Sequence, residues 1–245
     1  MPHARIVSSC AVLVIGHRGA SALEPENTMR AFARALDDGA DGVELDVRLA
    51  ASGELVVAHD PSFRRCAGDP REVGRLSWGQ IRELDVGRGE PPPLLDDVLD
   101  LVLARGASVH VEVKTNGPRG SEVAAALAAG LVRRAGRLPD LVVSSFDPRA
   151  LATLRWRAPR VATGLLFGAS QAWALRSGHL ARVLDTAAVH PERWLADARR
   201  VSSWHRAGRR VHVWTVDDPA ELRRLQAIGA DAVFANDPGA ARAAL

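Results

Sequence analysis

From Leu94 to the C-terminus the chain keeps switching between stretches with helical periodicity and short apolar, β-branched runs. Strands are predicted at 11–15, 43–49, 55–58, 109–114, 141–146, 161–167, 187–190, 211–216 and 231–235, with helices at 29–36, 77–84, 96–104, 121–135, 148–157, 191–206 and 219–227. Such alternation over a whole chain specifies a parallel α/β architecture. Parallel neighbours need a crossover of roughly a dozen residues, and the five between Leu49 and Leu55 cannot supply one. The second and third runs must therefore form an antiparallel hairpin. Setting 55–58 aside leaves eight strands, and 245 residues match the ~250 that a (β/α)8 TIM barrel typically takes. Residues 60–95, rich in proline and glycine, read as an insertion over one end of a single domain spanning 1–245.

Composition removes several function classes. Of 32 basic residues only Lys114 is a lysine, and the arginines are spread over helical stretches with no basic block. With a net charge of +3, this pattern describes a solvated helix surface and no nucleic-acid footprint. The apolar run at 10–15 is too short to span a membrane and leads into Gly16-His17-Arg18-Gly19, so no stable membrane insertion is expected. Cys10 and Cys66 read as free thiols, which suits a cytoplasmic protein. Oligomeric state leaves no trace in the sequence.

Chemistry gathers where strands end. Glu44 and Asp46 sit two apart on one predicted strand and so share a face, as do Glu112 and Lys114 on another. In a parallel barrel both faces of a strand are buried, and inward carboxylates must be paired or metal-bound. Ion pairs with Arg18, Arg48 and Lys114 would satisfy any one acid, but three acids together ask for a cation. Oxygen donors alone favour a hard ion such as Mg2+ or Ca2+. Of eight histidines, His3, His179 and His205 read as surface or loop residues, and His110 and His212 as strand packing. His17 and His59 each end a strand beside a charged residue and can exchange protons near neutrality. If Ser52-Gly53 is a two-residue hairpin turn, facing residues sum to 105 and Asp46 lies opposite His59. A longer loop would relax that pairing by a residue or two while keeping the ring in reach.

The motifs GHRGA with PENT, DGVELDV, LVVAHD, PPPLLDDVL, VEVK, VVSSFD, VHVWTVDD and GADAVFANDP resemble, almost end to end, those of the glycerophosphodiester phosphodiesterases. That resemblance implies His17 and His59 as an acid/base pair, and Glu44, Asp46 and Glu112 as ligands of a divalent metal. It further implies Arg18 and Lys114 as phosphate contacts, Asn27 near metal and phosphate, and Trp214 as a pocket wall. The expected reaction is hydrolysis of a small glycerophosphodiester to glycerol 3-phosphate and an alcohol. Its rivals are a lysophospholipase-D-like or phosphatidylinositol-cleaving activity and a non-catalytic phosphodiester-binding barrel. Leu95 and Ala235 depart from the family pattern, where threonine is common, and both lie outside the proposed metal and acid/base set.

Overall fold

The computed structural model describes residues 12–115, 120–134, 140–171 and 179–245. Its strands are β1 (Leu13–His17), β2 (Gly42–Leu49), β3 (Leu55–Val57), β4 (Ser108–Val113), β5 (Leu141–Ser145), β6 (Ala162–Phe167), β7 (Ala188–Pro191), β8 (Arg210–Val213) and β9 (Ala232–Ala235). All but β3 run parallel in the order β1-β9-β8-β7-β6-β5-β4-β2, and pairing of β1 with β2 closes a (β/α)8 barrel. Alternation then sorts the side chains. Val43, Leu45, Val47, Val109, Val111, Val113, Val211 and Val213 join the main core, which includes Phe32, Leu99, Leu127, Leu154 and Leu222 from the helices. Ile15, Ala232 and Phe234 form a separate apolar cluster packed by Trp214.

Several helices announce their starts chemically. Asp147, Asp218 and Asp237 each cap a helix by accepting from a backbone N–H, and each is followed by proline at the first helical position. The helix Pro238–Ala244 was not predicted, although it carries this same Asp-Pro signal. The predicted helix at 191–206 is corrected: Pro191 ends β7, a 3-10 turn spans Arg193–Leu195, and the helix Ala198–Arg206 starts only where the Asp197 side chain caps Arg200 N. The strand expected at 211–216 stops at Val213, which leaves Trp214 beyond the strand on the rim. Cys10 and Ala11, His3, and the end of the predicted 121–135 helix at Ala135 lie outside the described residues.

The hairpin exists, with a different register. β2 outruns β1: Gly42 to Glu44 pair with β1, and Val47 to Leu49 pair with β3, which covers the edge that β1 leaves open. Facing residues sum to 104, as in Val47 opposite Val57, and not to the expected 105. The loop holds three residues: Ala50 N donates to Glu54 O at 2.9 Å, and Gly53 takes a left-handed φ of 100°. Asp46 therefore faces Ala58, whose N donates to the Asp46 carbonyl at 2.9 Å. A continued strand would have turned His59 to the other face, but β3 ends at Val57. Beyond it, Arg48 Nε and Nη2 hold the His59 carbonyl at 3.0 and 2.5 Å. The insertion rests on this hairpin, with Phe63, Val73, Leu76, Ile81 and Val86 packed on Ala50, Val56 and Ala58.

Candidate active site

The chain leaves β1 through a turn that few sequences could make. Gly19 has φ 82°, and a Cβ there would lie 2.5 Å from the Ala31 backbone, so the turn packs directly on the helix Met29–Asp37. Arg18 and Asn27 also occupy the left-handed region, at φ 56° and 59°. For arginine this conformation is uncommon and costs on the order of 1 kcal/mol, so the surroundings must enforce it. They do: Arg18 N donates to Glu44 Oε2 at 3.0 Å, and Arg18 O accepts from Asn27 N at 3.0 Å. The same bend brings Arg18 Nε to 3.2 Å from Asp46 Oδ2 and Asn27 Nδ2 to 2.8 Å from the same oxygen.

Glu44, Asp46 and Glu112 meet as predicted, with one carboxylate oxygen from each within 4.8 Å of the others. Asp46 and Glu112 are register partners across β2 and β4, which is why they converge. All three are buried. Lys114 Nζ bridges them, at 3.0 Å from Asp46 Oδ1 and 2.6 Å from Glu112 Oε1. The charges do not balance, since three carboxylates face two cations. Burial and the neighbouring Asp46 charge push Glu44 up to about 8. Burial, with Asp46 and Glu44, pushes Glu112 up to about 7 against the pull of Lys114. Burial also opposes ionisation of Asp46, but Lys114 and Arg18 outweigh it and bring that carboxyl down to about 2. A site with oxygen donors only, in which burial and mutual repulsion hold two carboxyls above their ordinary range, fits a hard divalent ion.

The two histidines are oriented by different partners. His17 ends β1, and its Nδ1 lies 2.8 Å from Asn236 Oδ1. Asn236 is itself fixed, because its Nδ2 and backbone N donate to Asp217 at 2.7 Å each, which leaves Oδ1 to accept from His17. Nδ1 of His17 must then carry the proton and Nε2 the free lone pair. His59 Nδ1 is 2.7 Å from Asp60 Oδ1, and Arg65 Nε holds the other Asp60 oxygen at 2.7 Å. A chain of ion pairs continues from Arg65 through Glu26 to Arg18. Burial lowers both imidazole pKa values; Arg18 lowers His17 further, whereas Asp46 partly restores His59. His59 lines one cleft with Asn27, which itself donates to Asp46, so His59 stands beside the acid cluster despite the changed register.

Trp214 stands half-buried on the rim, with Nε1 donating to His190 O at 2.7 Å and its ring edge-on to Phe146 at 5.6 Å. Every predicted site residue is thus at or beside one end of the barrel, that of the strands' C-termini. Asn236, Asp217, Asp60 and Glu26 were missed as orienting groups. Their signals stood in the motifs ANDP, TVDD, AHD and PENT, but a single sequence does not say which polar neighbour turns toward which ring.

The glycerophosphoryl diester phosphodiesterase family model matches residues 17–240. A glycerophosphodiester phosphodiesterase of Caldanaerobacter subterraneus subsp. tengcongensis is 31% identical over 236 residues, covering 92% of this chain and 94% of the relative. Among solved structures, an Oleispira antarctica phosphodiesterase in complex with its product sn-glycerol-3-phosphate superposes with a TM-score of 0.86 at 29% identity, covering 95% of this chain and 96% of that one. A glycerophosphodiester phosphodiesterase of Agrobacterium tumefaciens gives 0.79 at 28% identity, covering 95% and 100%. The chain belongs to the glycerophosphoryl diester phosphodiesterase family.

Proposed function

We propose that the protein hydrolyses small, water-soluble glycerophosphodiesters to glycerol 3-phosphate and an alcohol, and that residues 1–245 work as one domain including the insertion. The observation that carries this reading is the meeting, at one barrel mouth, of three buried carboxylates, two cations and two imidazoles with directed lone pairs. Glu44, Asp46 and Glu112 would hold Mg2+ or Ca2+, which when bound supplies a Lewis acid for phosphate and hydroxyl oxygens. With the ion counted, the three acids and two cations leave a net charge of +1, matched to a phosphodiester anion.

Arg18 and Lys114 would bind and neutralise the phosphate oxygens, and Asn27, donating to Asp46 Oδ2, fixes the orientation of that carboxylate. His17, backed by a neutral amide, rests with Nε2 free to take a proton from the attacking water, whose oxygen ends on the phosphorus of glycerol 3-phosphate. His59, backed by the Asp60 carboxylate, is the better carrier of an imidazolium and gives a proton to the leaving alcohol. Trp214 would form a wall of the pocket. The cleft lined by Asn27, His59, Asp60, Phe63 and Arg65 lies toward the insertion and suits the leaving alcohol. Among the described residues no helix is long and apolar enough to cross a membrane. A soluble substrate and a reducing cytoplasm, in keeping with the free thiol of Cys66, complete the reading.

The test is release of glycerol 3-phosphate from glycerophosphocholine and glycerophosphoethanolamine, run beside lysophospholipids. Turnover of the soluble diesters supports the proposal. Binding without turnover would make the barrel a phosphodiester binder, and preference for lysophospholipids would move the activity to a phospholipase D type.

A further inference from the structure

Next to the acids lies a second cluster that the proposed reaction does not use. His110, on β4, is the register partner of Glu44 on β2 and comes two residues before Glu112 on the same face, hence roughly 7 Å further into the interior than Glu112. His190 on β7 and His212 on β8 converge on it, with ring centroids 5.9 and 5.1 Å from His110 and 4.8 Å from each other. All three are buried, and the Phe234 ring closes one side, 5.2 and 5.5 Å from His110 and His190. Barrel interiors are ordinarily filled by branched apolar side chains, so three imidazoles there are a departure.

The cluster also lacks partners. His110 Nδ1, His190 Nε2 and His212 Nδ1 are buried with no hydrogen-bond partner. One nitrogen from each ring lies within 4.8 Å of the other two. Space has been kept for them: a Cβ on Gly164 of β6 would stand 2.5 Å from His190 Nε2, so any other residue would displace that ring. Zn–N bonds of about 2.0–2.1 Å at tetrahedral angles put neighbouring nitrogens roughly 3.3 Å apart, inside the 4.8 Å within which one nitrogen of each ring lies.

We propose that His110, His190 and His212 form a second, buried metal site, selective for a borderline ion of the Zn2+ class and distinct from the acid cluster at the mouth, with a fourth position that water would fill. Three nitrogen donors favour Zn2+ or Co2+ over Mg2+ or Ca2+, so the two sites sort different ions. Enclosure within the barrel means the ion enters as the chain folds and leaves slowly.

The test uses the full, untagged chain expressed with Zn2+ or Co2+ supplementation, dialysed against EDTA, and assayed for metal by mass spectrometry. The expected result is about one equivalent retained per chain, retained also in a Glu44→Gln/Glu112→Gln variant and lost in His190→Gln and His212→Gln. Co2+-grown wild type, which needs no folded variant, should show the intense visible bands of a tetrahedral nitrogen site, and chelation after partial unfolding should lower its melting temperature. Anomalous diffraction at the Zn edge should place the ion between the three rings. A protein that retains no metal after such growth, or whose retained metal disappears with the acid variant, overturns the proposal.

Discussion

Two layers of one barrel interior, a few ångströms apart, solve the problem of buried polarity in opposite ways. At the mouth, Glu44, Asp46 and Glu112 are charged or poised to be, and each touches Arg18, Lys114 or both through named contacts. Below, burial holds His110, His190 and His212 uncharged, and one buried nitrogen of each ring has no hydrogen-bond partner. An unsatisfied buried polar atom costs about 1–3 kcal/mol, so the lower layer stores a debt that a ligand can discharge. The upper layer's imbalance is one of charge, the lower layer's one of hydrogen bonding. A surplus of carboxylates favours a hard divalent cation, whereas neutral nitrogen donors favour a borderline one.

The sharpest way to separate the layers is to neutralise the upper one. Asp46→Asn should give the largest effect, because Asp46 pairs with both cations and Asn27; turnover should fall by more than about 10²-fold with loss of Mg2+ affinity in calorimetry. Retained affinity would remove Asp46 from the metal site. Next come His17→Ala and His59→Ala, each expected to lower turnover by roughly 10²-fold, with an unchanged circular dichroism spectrum. Near-normal turnover in either variant would return that histidine to packing.

A smaller effect is expected one contact further out. Asp217→Ala frees the Asn236 amide to rotate and loosens the His17 tautomer, and should cost about tenfold, part of a general base's usual contribution. The acid limb of the pH–rate profile should shift, which mere loss of stability would not cause. The smallest change tests the scaffold alone. Thr28 caps the helix Met29–Asp37 by accepting from Ala31 N at 3.1 Å, and Thr28→Ala should lower unfolding free energy by about 1 kcal/mol. Chemical denaturation reads that loss directly.

How much of this was legible in the sequence differs between the layers for a physical reason. The acids and Lys114 could be placed because their alternation runs within single strands, where period two decides the face. The hairpin could be inferred from a loop too short to cross, but its register depended on whether Gly53 closed a loop of two or three residues, which no periodicity encodes. The helix after Asp197 was overextended because Pro191 resembles a helix start, and only strand pairing with Phe167 keeps it in β7. His110 and His212 read as packing for a related reason: their meeting with His190 depends on three strands distant in sequence. Gly164, the residue that makes room, carries no chemistry of its own to notice.

In the proposed reaction the carboxylate cluster works by holding a divalent ion. Its most direct test is release of glycerol 3-phosphate from glycerophosphocholine by the full chain, before EDTA treatment, after it, and after adding back Mg2+, Ca2+ or Mn2+ singly. Turnover should be abolished by chelation and restored by at least one of these ions in wild type, with no restoration at the same ion concentration in Asp46→Asn. Full activity after exhaustive chelation would contradict it.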